Sequence, residues 1–219
     1  MVLPETLDEF VTANAPEHDE IQAEMAAEAD ERGFPIIGRV SGGFLQEVAR
    51  ARSAEAIFEF GSGFGYSATW FLNGLAEDGE IVLTERDPDN VATGEAYLER
   101  RGDADRVSYE QGDALETIDR YDGPFDVVLL DHDKAEYLTG FEHVVEKLNP
   151  GAVVIADNIL RGPVAYEDIL PYVAGEPGEP DDSSAAGLVS YLRTVRERSD
   201  FYSLVLPIGK GLSVSTYRG

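Results

Sequence analysis

The opening thirty residues carry apolar positions at helical spacing among many acids. Residues 5–32 read as helix: "PEHDEIQAEMAAEADERG" is built of strong helix formers, with acids early and Gly33 as a stop. A further helix is predicted over about 41–52 ("SGGFLQEVARAR"). From residue 56 the period changes. Short, mostly apolar runs read as strands: "AIFEF" (56–60), "EIVLTE" (80–85), "RVSYEQ" (106–111), "FDVVLLD" (125–131) and "AVVIAD" (152–157). Helix-period segments separate them: "YSATWFLNGLA" (66–76), "PDNVATGEAYLERRG" (88–102), "DALETID" (113–119) and "AEYLTGFEHVVEKLNPG" (135–151), the last expected to stop at Pro150.

Strands alternating with helices at this spacing predict an α/β fold, a mostly parallel sheet with helices on both faces. Right-handed crossovers put every parallel strand's C-terminal end on one edge, where ligands bind. The end of the chain reads differently. "GEPGEPDDSSAAG" (175–187) is a loop and "LVSYLRTVRERS" (188–199) a helix. "FYSLVLPI" (201–208) and "LSVSTYR" (212–218) form a hairpin through "GKG", so the last strand is expected to run antiparallel. No repeat interrupts the pattern. A single domain over 1–219 is expected, with N-terminal helices (1–52) ahead of a core (53–219).

Composition narrows the function. Acids outnumber bases 43 to 17, for a net charge of −26. Only Lys134, Lys147 and Lys210 are lysines. The acids are dispersed, as on proteins that work at high salt; "GEPGEPDD" (175–182) is the best candidate for an acidic interaction segment instead. No nucleic-acid partner is expected, since phosphate binding needs a basic patch. The chain has no cysteine, which removes thiolate chemistry. The start lacks the pattern of a signal peptide, and no apolar run approaches about 20 residues, so no membrane partner and a cytoplasmic location are expected.

"FEFGSGFGYS" (58–67) puts Gly61, Gly63 and Gly65 between a strand and a helix. A dinucleotide fingerprint needs glycine where Tyr66 stands. Glu59 sits just ahead of the glycines, where it would repel a pyrophosphate and attract a cation. Glu85 ends the next strand, where an acid can hold both ribose hydroxyls. These features favour an adenosine-type ligand with a cationic end over a nicotinamide cofactor or a purely structural turn.

Asp131 ends the fourth strand; Asp157 ends the fifth and is followed by Asn158. Adjacent parallel strands would bring the three together. Two carboxylates and an amide oxygen suit Mg²⁺ or Ca²⁺, with water or substrate completing the shell. Lys134 lies three residues after Asp131, in a chain that otherwise uses arginine for most of its bases. A lysine can lose its proton beside a cation, which arginine cannot readily do, so Lys134 reads as a candidate general base.

"EFGSGFGYS", "DHDKAEY" and "ADN" resemble the class I S-adenosylmethionine-dependent methyltransferases. Within them, the chain resembles the metal-dependent O-methyltransferases of the catechol and caffeoyl-CoA types, from about Gly38 to the C-terminus. The resemblance implies a Rossmann-like seven-stranded sheet with an antiparallel C-terminal strand. It implies that Glu59, Gly61, Gly63 and Ser67 line the methionine end of S-adenosylmethionine, and that Glu85 holds the ribose. Gly112, Asp113 and Ala114 bracket adenine, with Asp131 and His132 beside them; Asp113 is equally an N-cap. Asp133 matches the caffeoyl-CoA-type variant and is assigned a supporting role. The acceptor pocket is expected from the N-terminal segment, 159–168 and the stretch near 188–193. Tyr191 and Leu192 stand there where some relatives carry Asn or Glu, and Tyr137, Tyr166, Tyr172 and Arg161 are further candidates for its walls. Relatives are often homodimers, so a homodimer is expected.

The expected reaction is methyl transfer to a hydroxyl of a small phenolic, catechol-like acceptor. A methyltransferase acting on a hydroxamate or nitrogen centre, with the metal structural or absent, is one alternative. A nicotinamide-linked oxidoreductase is the other, disfavoured by Tyr66 and the terminal hairpin.

Overall fold

The structure is a computed structural model that describes residues 3–219. A seven-stranded sheet forms its centre: β1 (Ala56–Phe60), β2 (Glu80–Glu85), β3 (Val107–Gln111), β4 (Phe125–Leu130), β5 (Leu148–Ala156), β6 (Phe201–Leu206) and β7 (Leu212–Tyr217). The spatial order is β3-β2-β1-β4-β5-β7-β6. The first five strands pair in parallel, while β7 is antiparallel to both neighbours, as expected.

Side chains alternate across the sheet, so each central strand feeds two cores. Phe58, Phe60, Val128, Leu130 and Val154 face one side, with Phe141, Val144, Leu188 and Val189 packed over them. Ile57, Val127, Leu129, Val153 and Ile155 face the other, under Leu45, Trp70 and Phe71. This two-sided burial is why these strands are nearly all apolar. The first face is covered by α6 (Ala114–Ile118), α7 (Tyr137–Val145), α8 (Tyr166–Ala174) and α9 (Ser183–Glu197). The second is covered by α2 (Glu20–Arg32), α3 (Gly38–Arg52), α4 (Tyr66–Gly74) and α5 (Pro88–Arg101). α3 and α4 approach closely, because a Cβ at Gly42 would lie 2.5 Å from the Trp70 indole nitrogen. No helix among the described residues is long and apolar enough to cross a membrane.

Four segments differ from the sequence-based expectation. The 5–32 helix is two, α1 (Glu5–Ala13) and α2, split at residues 14–19. Asp19 and Gln22 form a reciprocal capping box at 2.8 and 3.0 Å, which starts a new helix after Pro16. The helix expected to run to Pro150 ends at Val145, after a 3₁₀ turn over Lys134–Glu136. Pro150 lies inside β5, where the register with β4 shifts between Phe125 and Val127; such an irregularity tolerates a residue with no N–H. α8 falls in a stretch with no expected element. α9 begins at Ser183 rather than 188, because Asp182 caps it by accepting from the Ala185 N–H at 2.8 Å, and the preceding loop is correspondingly short.

Candidate active site

The order of strands reverses direction between β1 and β4, and a cavity of about 620 Å³ opens above their C-terminal ends. This is the crevice that parallel sheets reserve for ligands. Residues singled out from the sequence line it: Glu59, Gly61, Gly63, Ser67, Glu85, Gly112, Asp113, Ala114, Asp131, His132, Asp133, Lys134 and Asn158. Asp157 is almost wholly buried and is not among the lining residues.

The glycine loop is tied to the neighbouring strand by one hydroxyl. Thr84 Oγ1 donates to the Glu59 carbonyl at 2.8 Å and accepts from the Gly61 N–H at 3.1 Å. Gly61 has φ +77°, and a Cβ there would lie 2.9 Å from the Asp131 carbonyl oxygen. The two strand ends can therefore approach this closely only with glycine. Tyr109 supports the loop from below, donating to the Gly63 carbonyl.

Glu59 is buried at the loop's root. Ser67 donates a short hydrogen bond to one carboxylate oxygen, and the other has no protein partner. Burial pushes its pKa up to about 8; the Ser67 bond opposes this, while Asp131 and Glu85 add to it. A buried acid with one unused oxygen facing a cavity is suited to a cationic group. Farther along, Asp113 caps α6, accepting from the Leu115 N–H at 2.8 Å, and pairs with Arg86 at 2.6 Å. Capping thus accounts for one oxygen of Asp113 and the ion pair for the other. His132 is held neutral by burial, its pKa lowered to about 4, and its Nδ1 has no protein partner.

Lys134 is 5% exposed, and its three protons have three acceptors. Asp131 Oδ1 lies at 3.0 Å, the His132 carbonyl at 3.1 Å and the Tyr137 hydroxyl at 2.6 Å. Tyr137 in turn donates to the Asp157 carbonyl at 3.0 Å. The next position after the Leu130↔Ala156 pair of β4 and β5 puts Asp131 and Asp157 side by side. Burial raises the pKa of both; Asp131 also repels Asp157, whereas Lys134 counters the rise at each. Asp157 Oδ1 is buried without a partner. Asn158 holds a left-handed backbone at φ +60°, which asparagine tolerates better than most residues and which turns the chain at the strand end. Among the described residues no group of three or more His, Cys, Asp or Glu is disposed to hold a metal. The donor set available is two carboxylates and an amide. An orphaned carboxylate oxygen beside a second carboxylate fits a hard divalent cation.

The acceptor side departs from expectation. Tyr191 and Leu192 are buried in the core, with Tyr191 stacked edge-on against Tyr137 at 5.9 Å, and neither lines the cavity. Ser184, at the start of α9, replaces the expected 188–193 stretch in the cavity wall. Tyr137 is buried beneath Lys134, and Tyr166 and Arg161 are exposed. Phe34, Pro35, Ile36 and Ile37 close the cavity from the N-terminal side, and Gly162 and Pro163 close it from the loop after β5. Lys210, in the β6–β7 turn, was not anticipated; its one signal in the sequence is lysine scarcity. Arg86 and Thr84 were also missed, since neither lies in a recognisable motif.

The profile of the O-methyltransferase family matches residues 12–212. A catechol O-methyltransferase from Mycobacterium tuberculosis is 31% identical over 162 residues, covering 73% of this chain and 74% of that protein. One from Niastella koreensis is 29% identical, covering 72% and 74%. Among solved structures, the O-methyltransferase TomG of Streptomyces achromogenes, involved in tomaymycin synthesis and seen with S-adenosylmethionine, superposes with a TM-score of 0.83 at 25% identity, covering 98% of this chain and 96% of that one. A Bacillus cereus O-methyltransferase in complex with S-adenosylhomocysteine shares the fold at a TM-score of 0.82 and 23% identity, covering 97% of each. With the seven-stranded sheet, the glycine loop and these matches together, the chain belongs to the O-methyltransferase family and is an S-adenosylmethionine-dependent enzyme.

Proposed function

We propose that the protein methylates one hydroxyl of a catechol-like phenol, with a divalent cation held by Asp131, Asp157 and Asn158 and with Lys134 as general base. The observation that carries this reading is the unpartnered, buried Asp157 oxygen beside Asp131, which pairs with Lys134 and, with Asn158, lines the large cavity.

The chemical problem is the acceptor. A phenol with a pKa of about 10 is only about 0.1% ionised at pH 7, a deficit of about 4 kcal/mol. S-adenosylmethionine supplies an electrophilic methyl, and a divalent cation, when bound, would acidify and fix the acceptor oxygen. The chain's own residues do the rest. Glu59 offers its free oxygen to the donor's ammonium, and Glu85 stands at the ribose position. Ile36, Ile37 and Pro163 exclude water from one side. Holding donor and acceptor in register can supply roughly 7–11 kcal/mol. Lys134 accepts the hydroxyl proton. Its amine is held by Asp131 Oδ1, the His132 carbonyl and the Tyr137 hydroxyl, which aim it at the strand ends where the acceptor would sit.

That same shell favours a second reading, in which Lys134 stays an ammonium and only orients Asp131. A methyl-transfer assay over dihydroxybenzenes, with Mg²⁺ or with chelator, tests the proposal. Chelator should abolish turnover, and Lys134→Ala should lower kcat by about 10²–10⁴-fold. Loss of the ascending limb of the pH profile in Lys134→Met marks the base; an unchanged profile shape marks the orienting role. Chelator-resistant turnover or a fully active Lys134→Ala rejects the mechanism. A homodimer remains the expected assembly, supported by exposed Tyr202, Leu204 and Val205 on the edge strand β6; light scattering measures it.

A further inference from the structure

Two basic side chains leave their charged ends largely uncommitted, and they are neighbours. Every arginine other than Arg161 donates at least one side-chain hydrogen bond within the described residues, whereas Arg161 donates none there. Lys134 has three acceptors and Lys147 two, the Ile118 and Tyr121 carbonyls. Among the described residues Lys210 reaches only the Ile36 carbonyl, at 3.4 Å.

The backbone holds the two together. The N–H groups of Leu160 and Arg161 both donate to the Lys210 carbonyl at 3.0 Å, and that of Ile159 donates to the Gly211 carbonyl at 3.0 Å. The turn can sit this close because residue 211 is glycine: a Cβ there would lie 2.5 Å from Leu160 Cγ. Lys210 therefore faces the large cavity from the acceptor side, with Asp131 and Asn158 in the same lining. It also shares Ile36 and Ile37 with a second cavity of about 370 Å³, which Arg39 and Arg161 also line. Asp8 is the one acid among the described residues that line that chamber, and Arg39 is already engaged by Glu17 and the Thr12 carbonyl, each at 2.8 Å. In a chain with 43 acids and 17 bases, this chamber carries an excess of positive charge. Part of the Lys210 field falls on Asp131 and Asp157.

Resting on the reading proposed above, we infer that Lys210 and Arg161 bind a carboxylate carried on a short arm of the aromatic acceptor, making the enzyme selective for dihydroxyphenyl acids. A carboxylate has two oxygens to offer. Arginine presents a planar fork to one or both, and lysine adds a point charge, giving charge-assisted bonds in a partly shielded site.

The test compares kcat/KM for 3,4-dihydroxybenzoate and 3-(3,4-dihydroxyphenyl)propanoate with that of their uncharged amides, in the presence of S-adenosylmethionine and Mg²⁺. The wild type should favour at least one acid over its amide by about tenfold or more, which is about 1.4 kcal/mol. In Lys210→Gln and Arg161→Gln the ratio should fall toward one, with the loss in the KM of the acid rather than in kcat. Lys210→Arg should retain most of the preference. Equal turnover of acids and amides by the wild type, or a preference that survives both glutamine variants, overturns the inference and leaves the catechol reading intact. No turnover of any of the four compounds overturns both.

Discussion

Gly187 of α9 lies directly against the Lys134 turn: a Cβ at residue 187 would fall 2.6 Å from the Ala135 Cα and closer still to the Lys134 carbonyl oxygen. The backbone carrying Lys134 is thus seated on a glycine from a helix about fifty residues away in sequence. Gly187→Ala is expected to displace that turn, costing about 1–3 kcal/mol of stability and lowering kcat more than donor affinity. Chemical denaturation and calorimetric titration with S-adenosylhomocysteine measure the two effects; an active variant of wild-type stability would show the seat to be slack.

On the proposed reading, Glu59 should make donor binding pH-dependent. Its pKa of about 8 in the empty site means that it is mostly protonated at pH 7, whereas a bound ammonium favours the carboxylate. Binding should therefore release close to one proton at pH 7, and affinity should rise with pH until about 8 and then level off. Calorimetry in buffers of different ionisation enthalpy counts the proton. Glu59→Gln should remove both the release and the rise.

For stability the sign is opposite to that of an ion-paired carboxylate. The folded, empty protein keeps the Glu59 proton to about pH 8, while the unfolded chain loses it in the usual glutamate range. The stabilisation is full below that range and is lost as pH rises toward 8. Melting of the ligand-free protein should therefore show Glu59→Gln gaining on the wild type across this window. A constant difference between the two would exclude Glu59 as its source.

Gly61→Ala should abolish donor binding. The added methyl would meet the Asp131 carbonyl at 2.9 Å and would require a left-handed backbone at φ +77°. S-adenosylhomocysteine titration is the readout, and wild-type affinity would mean that β1 and β4 can separate freely.

A net charge of −26 opposes compaction, and salt screens it over about 8–10 Å at 0.1–0.15 M. The melting temperature should rise from dilute buffer to molar KCl, with or without donor. A flat or falling curve would remove the case for an acidic surface adapted to strong salt.

The central strands were legible because a two-sided sheet demands unbroken apolar runs, as in "VVLL" (127–130). That the glycine loop and the strand-end acids would line one cavity was legible, because glycines and acids at strand ends are dictated by local backbone geometry. The acceptor side was less so. Lys210 reaches the cavity through a turn clamped onto the loop after β5, a contact spanning about fifty residues that no local pattern encodes. Tyr191 was misjudged because a helix turned slightly about its axis exchanges cavity for core. Helix ends at residues 14–19 and 145 were set by side-chain caps and by a strand irregularity around Pro150, both of which compete with intrinsic propensity.

Strand β4 has β1 on one flank and β5 on the other. The first flank ends in the glycine loop that lines the large cavity; the second ends in the loop over residues 159–168, whose Gly162 and Pro163 line the same cavity while Ile159 and Val164 anchor it in the core. On the reading proposed above, acceptor choice is then separable from donor binding. Replacing that loop together with the turn around Lys210 should redirect the enzyme to new phenols while its donor half is left untouched.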